Sequence, residues 1–300
     1  MAASRIGKFC AQMVILALAL AGCARSAPVP TDAGGFTSYA AAAFSEALPD
    51  NKVTIKGPLL LEIGPEPHRI AMSLGNAHDF CLRDPQNCDR ATREFVANSV
   101  AATKETSADP RKEDIRVVVR GAAYVQQVLG LAAVKADLKP LARPIAGDIW
   151  LLGVIDRQHA IAVLNNAQLA KLGLSEDEAI ALGKQNVMAA LRPFSSVTGD
   201  VPAKGVGVIQ GDFYESSRLL FHDDWAALAN KLGGQLVIAV PAPDLVIYGK
   251  GSDRIALDAI SAFVNEAAKK AQRPISATLF RWVPEGWQPI SSTDQSAAAN

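Results

Sequence analysis

The chain has 300 residues, 49% of them hydrophobic, and thirty basic side chains balance thirty acidic ones for a formal net charge of zero. That length can bury one large core or two smaller ones, and the apolar content excludes a disordered chain. Lysine and arginine scattered among acids also exclude the basic footprint that a nucleic-acid partner requires.

In chain order, Arg5 and Lys8 precede an apolar run from Met13 to Leu20 that is too short to span a bilayer as a folded helix. This predicts a signal peptide over 1–22. The run Leu20-Ala21-Gly22-Cys23 resembles the lipobox of bacterial lipoproteins, which implies acylation of Cys23 at its sulfur and at the new amino terminus. The plainer reading is an ordinary signal peptide cleaved near Ala21 or Ala24. Several acyl chains on one residue give stable anchoring, so the lipobox implies a membrane as partner. By the same resemblance Ala24, uncharged where an aspartate would stand otherwise, implies the periplasmic face of the outer membrane, within the cell envelope. Residues 23–35, rich in proline, glycine and small side chains from Ser26 on, read as a tether.

After loss of Cys10 and lipidation of Cys23, only Cys81 and Cys88 survive as thiols, an even pair in an oxidising compartment. A disulfide between them is expected. A metal site is the sharper alternative, because His78 and Cys81 lie one helical turn apart, with Cys88 near and Asp79, Asp84 or Asp89 to complete a set.

Residues 36–104 read as an α+β subdomain. It holds a helix from Phe36 to Leu48, strands over Val53 to Lys56, Leu59 to Ile63 and His68 to Leu74, a short helix capped by Asn76 and a longer one from Cys88 to Thr103. The polar stretch 104–114, with Asp109-Pro110, marks a boundary or a surface loop. Residues 114–290 read as the main α+β domain. Strands are expected at Ile115 to Val119, Ile149 to Ile155, Ala160 to Leu164 and Val206 to Gln210, and helices at Tyr124 to Val134 and from the Ser175/Glu178 capping box to Leu191.

The stretch Gly211 to Tyr248 reads as the core unit. Asp223 is placed to cap a helix that aligns Trp225, Leu228, Ala229 and Leu232 on one face, and Gly233-Gly234 stops it. Two strands follow, over Leu236 to Val240 and Leu245 to Tyr248, with Pro241 to Pro243 as a connection that cannot continue a central strand. Ser252 caps a helix whose inward face is Ala256, Ile260, Phe263, Val264 and Ala267. Leu279 to Trp287 suits a final strand or hairpin, and 291–300 a disordered tail. The fold class is therefore α+β, with mixed sheets packed against helices. A helix, strand, strand, helix order at 124–191 recurs at 223–270 as a possible internal repeat.

Leu141-Ala142-Arg143-Pro144-Ile145-Ala146-Gly147-Asp148, then Tyr214-Glu215-Ser216-Ser217-Arg218-Leu219-Leu220 with Trp225, then Ala239-Val240-Pro241-Ala242-Pro243-Asp244, resemble in their order the uncharacterised DUF1444 family. The resemblance implies architecture and supplies no catalytic residues. Two departures are Pro243, where the family pattern has an arginine before the aspartate, and secretion, since many relatives look cytosolic.

His222 beside Asp223 and Asp224 has the look of a catalytic or metal cluster, although two acids in a first helical turn are also what capping favours. Ser216-Ser217 lacks the Gly-x-Ser-x-Gly elbow of a hydrolase, and Gly205-Val206-Gly207 lacks the lysine and hydroxyl of a phosphate loop. Arg143, Asp148, Asp156, Arg218 and Asp244 sit at strand ends or turns and form the candidate ligand cleft. Ion pairing that fixes loops is the competing role for them. No metal and no cofactor is indicated. The expected function is a non-enzymatic binding or interaction module of the cell envelope, and the alternative is an envelope hydrolase with acidic catalytic groups.

Overall fold

The computed structural model describes residues 28–64, 70–132, 136–198, 206–271 and 273–290, so Cys23 with the rest of 1–27, and the tail 291–300, lie outside it. The chain divides into two compact units, Met1–Ala97 and Asn98–Asn300.

The first unit opens with α1 (Ala33–Ala47), started by Asp32, whose carboxylate accepts from the Gly35 amide at 2.7 Å. The helix thus begins inside the stretch read as tether. Phe36, Ala40 and Phe44 recur every fourth residue and are buried. Strands β1 (Val53–Gly57), β2 (Leu60–Ile63) and β3 (Ile70–Ser73) form an antiparallel sheet in that order, with Leu61 and Ile63 alternating inward. Helix α2 (Gly75–Arg83) starts one residue before Asn76 and has no side-chain cap, so Asn76 lies within it and not at its end. The start is set by Leu74, fully buried and hydrogen-bonded through its amide to the Leu59 carbonyl. Helix α3 (Cys88–Ser107) follows, and the division between the units falls inside it. Cys81 and Cys88 join the end of α2 to the start of α3, their sulfurs at 2.04 Å. His78, the third group of the metal alternative, lies with its Nε2 2.9 Å from the Thr31 carbonyl and its ring against Phe36.

The second unit begins with β4 (Ile115–Gly121) and α4 (Ala122–Ala132), then β5 (Ala142–Ala146), β6 (Ile149–Asp156) and β7 (Ile161–Val163). β6 is the spine of this antiparallel sheet, paired with β4 on one side and with β5 and β7 on the other. Residues 138–147, which carry Pro140 and Pro144, supply β5: Pro144 is tolerated because the strand is an edge and its register slips between Pro144 and Ala146. Helix α5 (Asn166–Leu172) carries its own Asn165/Gln168 capping box, and α6 (Glu176–Ala190) the expected Ser175/Glu178 box. α6 packs on β4, and α7 (Phe194–Thr198) is a single short turn.

The last sheet comprises β8 (Val206–Gln210), β9 (Leu236–Ala242), β10 (Leu245–Lys250), β11 (Leu279–Val283) and β12 (Gly286–Pro289), in the order β12-β11-β9-β10-β8 and antiparallel throughout. Helix α9 (Arg254–Lys270) covers one face, setting Ile260 and Val264 against Val237, Ala239 and Ile247. The other face, with Ile238, Val240 and Tyr248, receives Trp225, Leu228 and Leu232 from around the short α8 (Ala226–Lys231). Trp225 is fully buried, as its register requires, and Gly233 and Gly234 end the helix at φ of +66° and +78°.

Four further expectations are corrected. Pro241 continues β9, a central strand, because the pairing with β10 slips between Leu245 and Ile247 and removes the demand for a ladder amide there. Asp223 does not cap: its side chain is fully exposed, and a 3-10 turn over His222–Trp225 precedes α8. At α9 the cap is Asp253, which accepts from Ile255 and Ala256, rather than Ser252, and Phe263 is half exposed, one position off the buried stripe.

Candidate functional site

On β4 the side chains alternate, and directly opposed residues of an antiparallel pair share a face. Val118 opposes Leu152, Arg120 opposes Trp150 and Arg116 opposes Val154, and Val154 in turn opposes Val163 of β7. One sheet face therefore carries Arg120 beside Leu152, Val154 and Val163. These side chains floor a cavity of about 530 Å3, with Tyr124 and Gln127 of α4 along one wall, Phe213 along another and Arg273 at its edge. That volume lies within the roughly 300 to 1,000 Å3 usual for small-ligand sites.

Arg120 is the unusual member. Its exposure is 8%, its guanidinium lies 4.7 Å over the Phe213 ring, and its Nη1 donates to the Val119 carbonyl at 2.8 Å. No carboxylate pairs with it among the described residues. Burial, and to a lesser degree the charge of Arg273, push its pKa down to about 10. It stays cationic at neutral pH. A guanidinium carries five donors, and only the Val119 carbonyl is seen to engage it here; no Arg120 nitrogen is among the buried atoms left without a partner, so its remaining donors open onto the cavity, whose lining is somewhat more apolar than polar.

Local sequence explains how Arg273 reaches this place. Gly121 ends β4, and a Cβ on it would lie 2.2 Å from the Ile275 carbonyl oxygen, so only glycine allows the 273–276 segment to pass so close. Ser276 then donates to both Asp148 oxygens, at 2.7 and 2.8 Å. Asp148, a sequence candidate, is thus a fastener for the cavity edge.

The other four candidates occupy separate surroundings. Asp156 lies on the same sheet face as Arg120 by alternation along β6, and its carboxylate accepts from the Tyr214 hydroxyl at 2.5 Å. Burial first, then that bond to Asp156, hold the Tyr214 phenol well above its ordinary pKa. Arg143 is half exposed and pairs with Glu176 at 3.3 Å and Asp177 at 2.6 Å at the start of α6. Arg218 is buried with Glu215, Nε to Oε2 at 2.5 Å, and donates from Nη2 to the Arg192 carbonyl. Asp244 is a partly buried turn residue whose carbonyl accepts from the Gly211 amide. The five do not line one cavity: Arg143 and Arg218 line two different ones, and none of the five lines the cavity of Arg120.

Ser216 and Ser217 are fully buried, out of reach of any substrate in solution. His222 stacks on Trp282 with ring centroids 5.1 Å apart and meets Trp287 edge-on, while Asp223 points into solvent. Among the described residues no three His, Cys, Asp or Glu side chains gather to hold a metal ion.

The cavity residues Arg120, Tyr124, Phe213 and Arg273 escaped the sequence reading. The one signal was Arg120 itself, a charge inside the run Val117-Val118-Val119-Arg120-Gly121, at a position where alternation points it the same way as apolar Val118. Comparisons with family models, with curated proteins and with solved structures found no match for this chain.

Proposed function

We propose that this chain is a lipid-anchored relative of the DUF1444 family, held in the cell envelope through Cys23, whose second unit binds a small organic anion without transforming it. The observation that carries the reading is Arg120: a cation nine-tenths buried, unpaired by any carboxylate among the described residues, lining a cavity large enough for a ligand. Leaving a buried charge uncompensated is costly, and an anionic guest would compensate it. Non-enzymatic binding is favoured over acid-catalysed hydrolysis because Asp148 and Asp156 each accept from a hydroxyl, Ser276 and Tyr214, and Arg143 and Asp244 lie in other settings.

Two measurements test the two halves. Metabolic labelling with a fatty-acid analogue should mark the wild-type chain and leave Cys23→Ala unmarked; equal labelling ends the anchor. The full chain, extracted from its native envelope and examined by native mass spectrometry, should carry a negatively charged small molecule that Arg120→Met loses. A neutral passenger, or one retained at equal occupancy by the folded variant, would end the anion reading.

A further inference from the structure

From the distribution of polar and apolar groups around this same cavity, and resting on the anion reading, we infer that its ligand class is a monocarboxylate amphiphile: one acid group and an aliphatic body. The two cations of the lining lie near each other, Arg120 opposite Trp150 on the sheet and Arg273 at an exposed position, and neither has a carboxylate partner among the described residues. Every other floor position is aliphatic: Leu152 and Val154 from β6, Ile161 and Val163 from β7. Ile161, at 44% exposure, continues this strip to the outside and gives an alkyl chain a path outward.

The geometry separates this guest from its competitors. A planar guanidinium with free donors matches the two oxygens of a carboxylate in a bidentate fork, and Phe213 behind the Arg120 plane holds that fork in place. A free inorganic anion would satisfy the arginines and leave the aliphatic strip uncovered. An uncharged alcohol of equal length would cover the strip and leave Arg120 uncompensated. A polyanion would meet only two cations in a floor otherwise apolar.

The test uses the full lipidated chain reconstituted in nanodiscs, with empty nanodiscs as the blank, and isothermal titration of three probes: octanoate, 1-octanol and inorganic phosphate. Octanoate should bind saturably and at least about tenfold more tightly than octanol, the factor expected from one charge-assisted hydrogen-bonded contact. Arg120→Met should abolish that preference while leaving octanol binding in place, since a linear apolar side chain of similar length keeps the floor closed. Should Arg120→Met fail to fold by circular dichroism, Arg273→Gln, at an exposed position, decides: it should weaken octanoate and leave octanol unchanged. Octanol binding as tightly as octanoate, or unchanged octanoate affinity in a folded Arg120→Met chain, overturns the inference. Phosphate binding without octanoate binding overturns the amphiphile class and leaves the anion site standing. Binding of neither overturns both.

Discussion

Trp225 shows how far one residue can be read from its spacing. It stands three residues before Leu228 and seven before Leu232, the interval that aligns side chains on a helix, and all three are buried against the last sheet. What spacing could not show is that its indole nitrogen donates to the Arg218 carbonyl at 2.9 Å, which ties the buried Glu215–Arg218 turn to the core. Neighbouring Asp223 reads equally well as a cap and is none, because a 3-10 turn intervenes and sends its side chain into solvent. A thermal and urea unfolding series should separate the three kinds of residue. Trp225→Ala should lose roughly 3 to 5 kcal/mol or fail to fold. Asp253→Ala should lose about 1 kcal/mol with the α9 cap, and Asp223→Ala should match the wild type. A Trp225→Ala chain of undiminished stability would contradict the packing described here.

At the scale of elements, most helices and strands were legible from local pattern: β4, β6, β9 and β10 as apolar runs, α6 through its capping box, α1 as an alanine-rich segment. The strand failures share one cause, which is that proline was read as punctuation, whereas the misread caps Asn76, Asp223 and Ser252 lie one or two residues from the N-cap positions of their helices. Pro241 sits inside β9 and Pro144 inside β5, each beside a register slip that a single sequence does not reveal. The cavity was hidden for a related reason. Its parts come from β4, α4, the β6–β7 pair, Phe213 and Arg273, and only strand pairing places them together. The candidates chosen from strand ends were instead fasteners: Arg143 at α6, Asp148 at the 273–276 segment. Gly121 belongs with the fasteners. Gly121→Ala should push the Ile275 backbone away, costing roughly 1 to 3 kcal/mol as an overpacked contact and weakening anion binding through displacement of Arg273. Unfolding and octanoate titration of the same variant check both, and an unaltered chain would mean that the 273–276 segment is not held as described.

At the scale of the second unit, acid sensitivity follows from how its carboxylates are held. Asp114 is buried, which alone would raise its pKa, yet hydrogen bonds from Arg111 and Arg157 outweigh that and hold it below the ordinary carboxylate value. The side chain of Arg157 also donates to the carbonyls of Glu105 and Asp109, so Asp114 anchors the arginine that fastens the end of α3 to the β6–β7 turn. Asp109, bonded to Lys171, and Glu105, bonded to His159, are depressed in the same direction. A carboxylate whose pKa is lower folded than unfolded contributes stability at every pH above its unfolded value of about 4, and that contribution disappears as pH falls through the depressed folded value. Urea midpoints measured between neutral pH and pH of about 2 should therefore decline in the acid limb. Asp114→Asn should lower the midpoint at neutral pH, where the wild-type carboxylate is charged and paired, and bring the two proteins together at the acid end, where the wild type is protonated too. Parallel curves for the two, separated by the same amount at every pH, would show that the Asp114 side chain acts through packing rather than through its charge on Arg111 and Arg157.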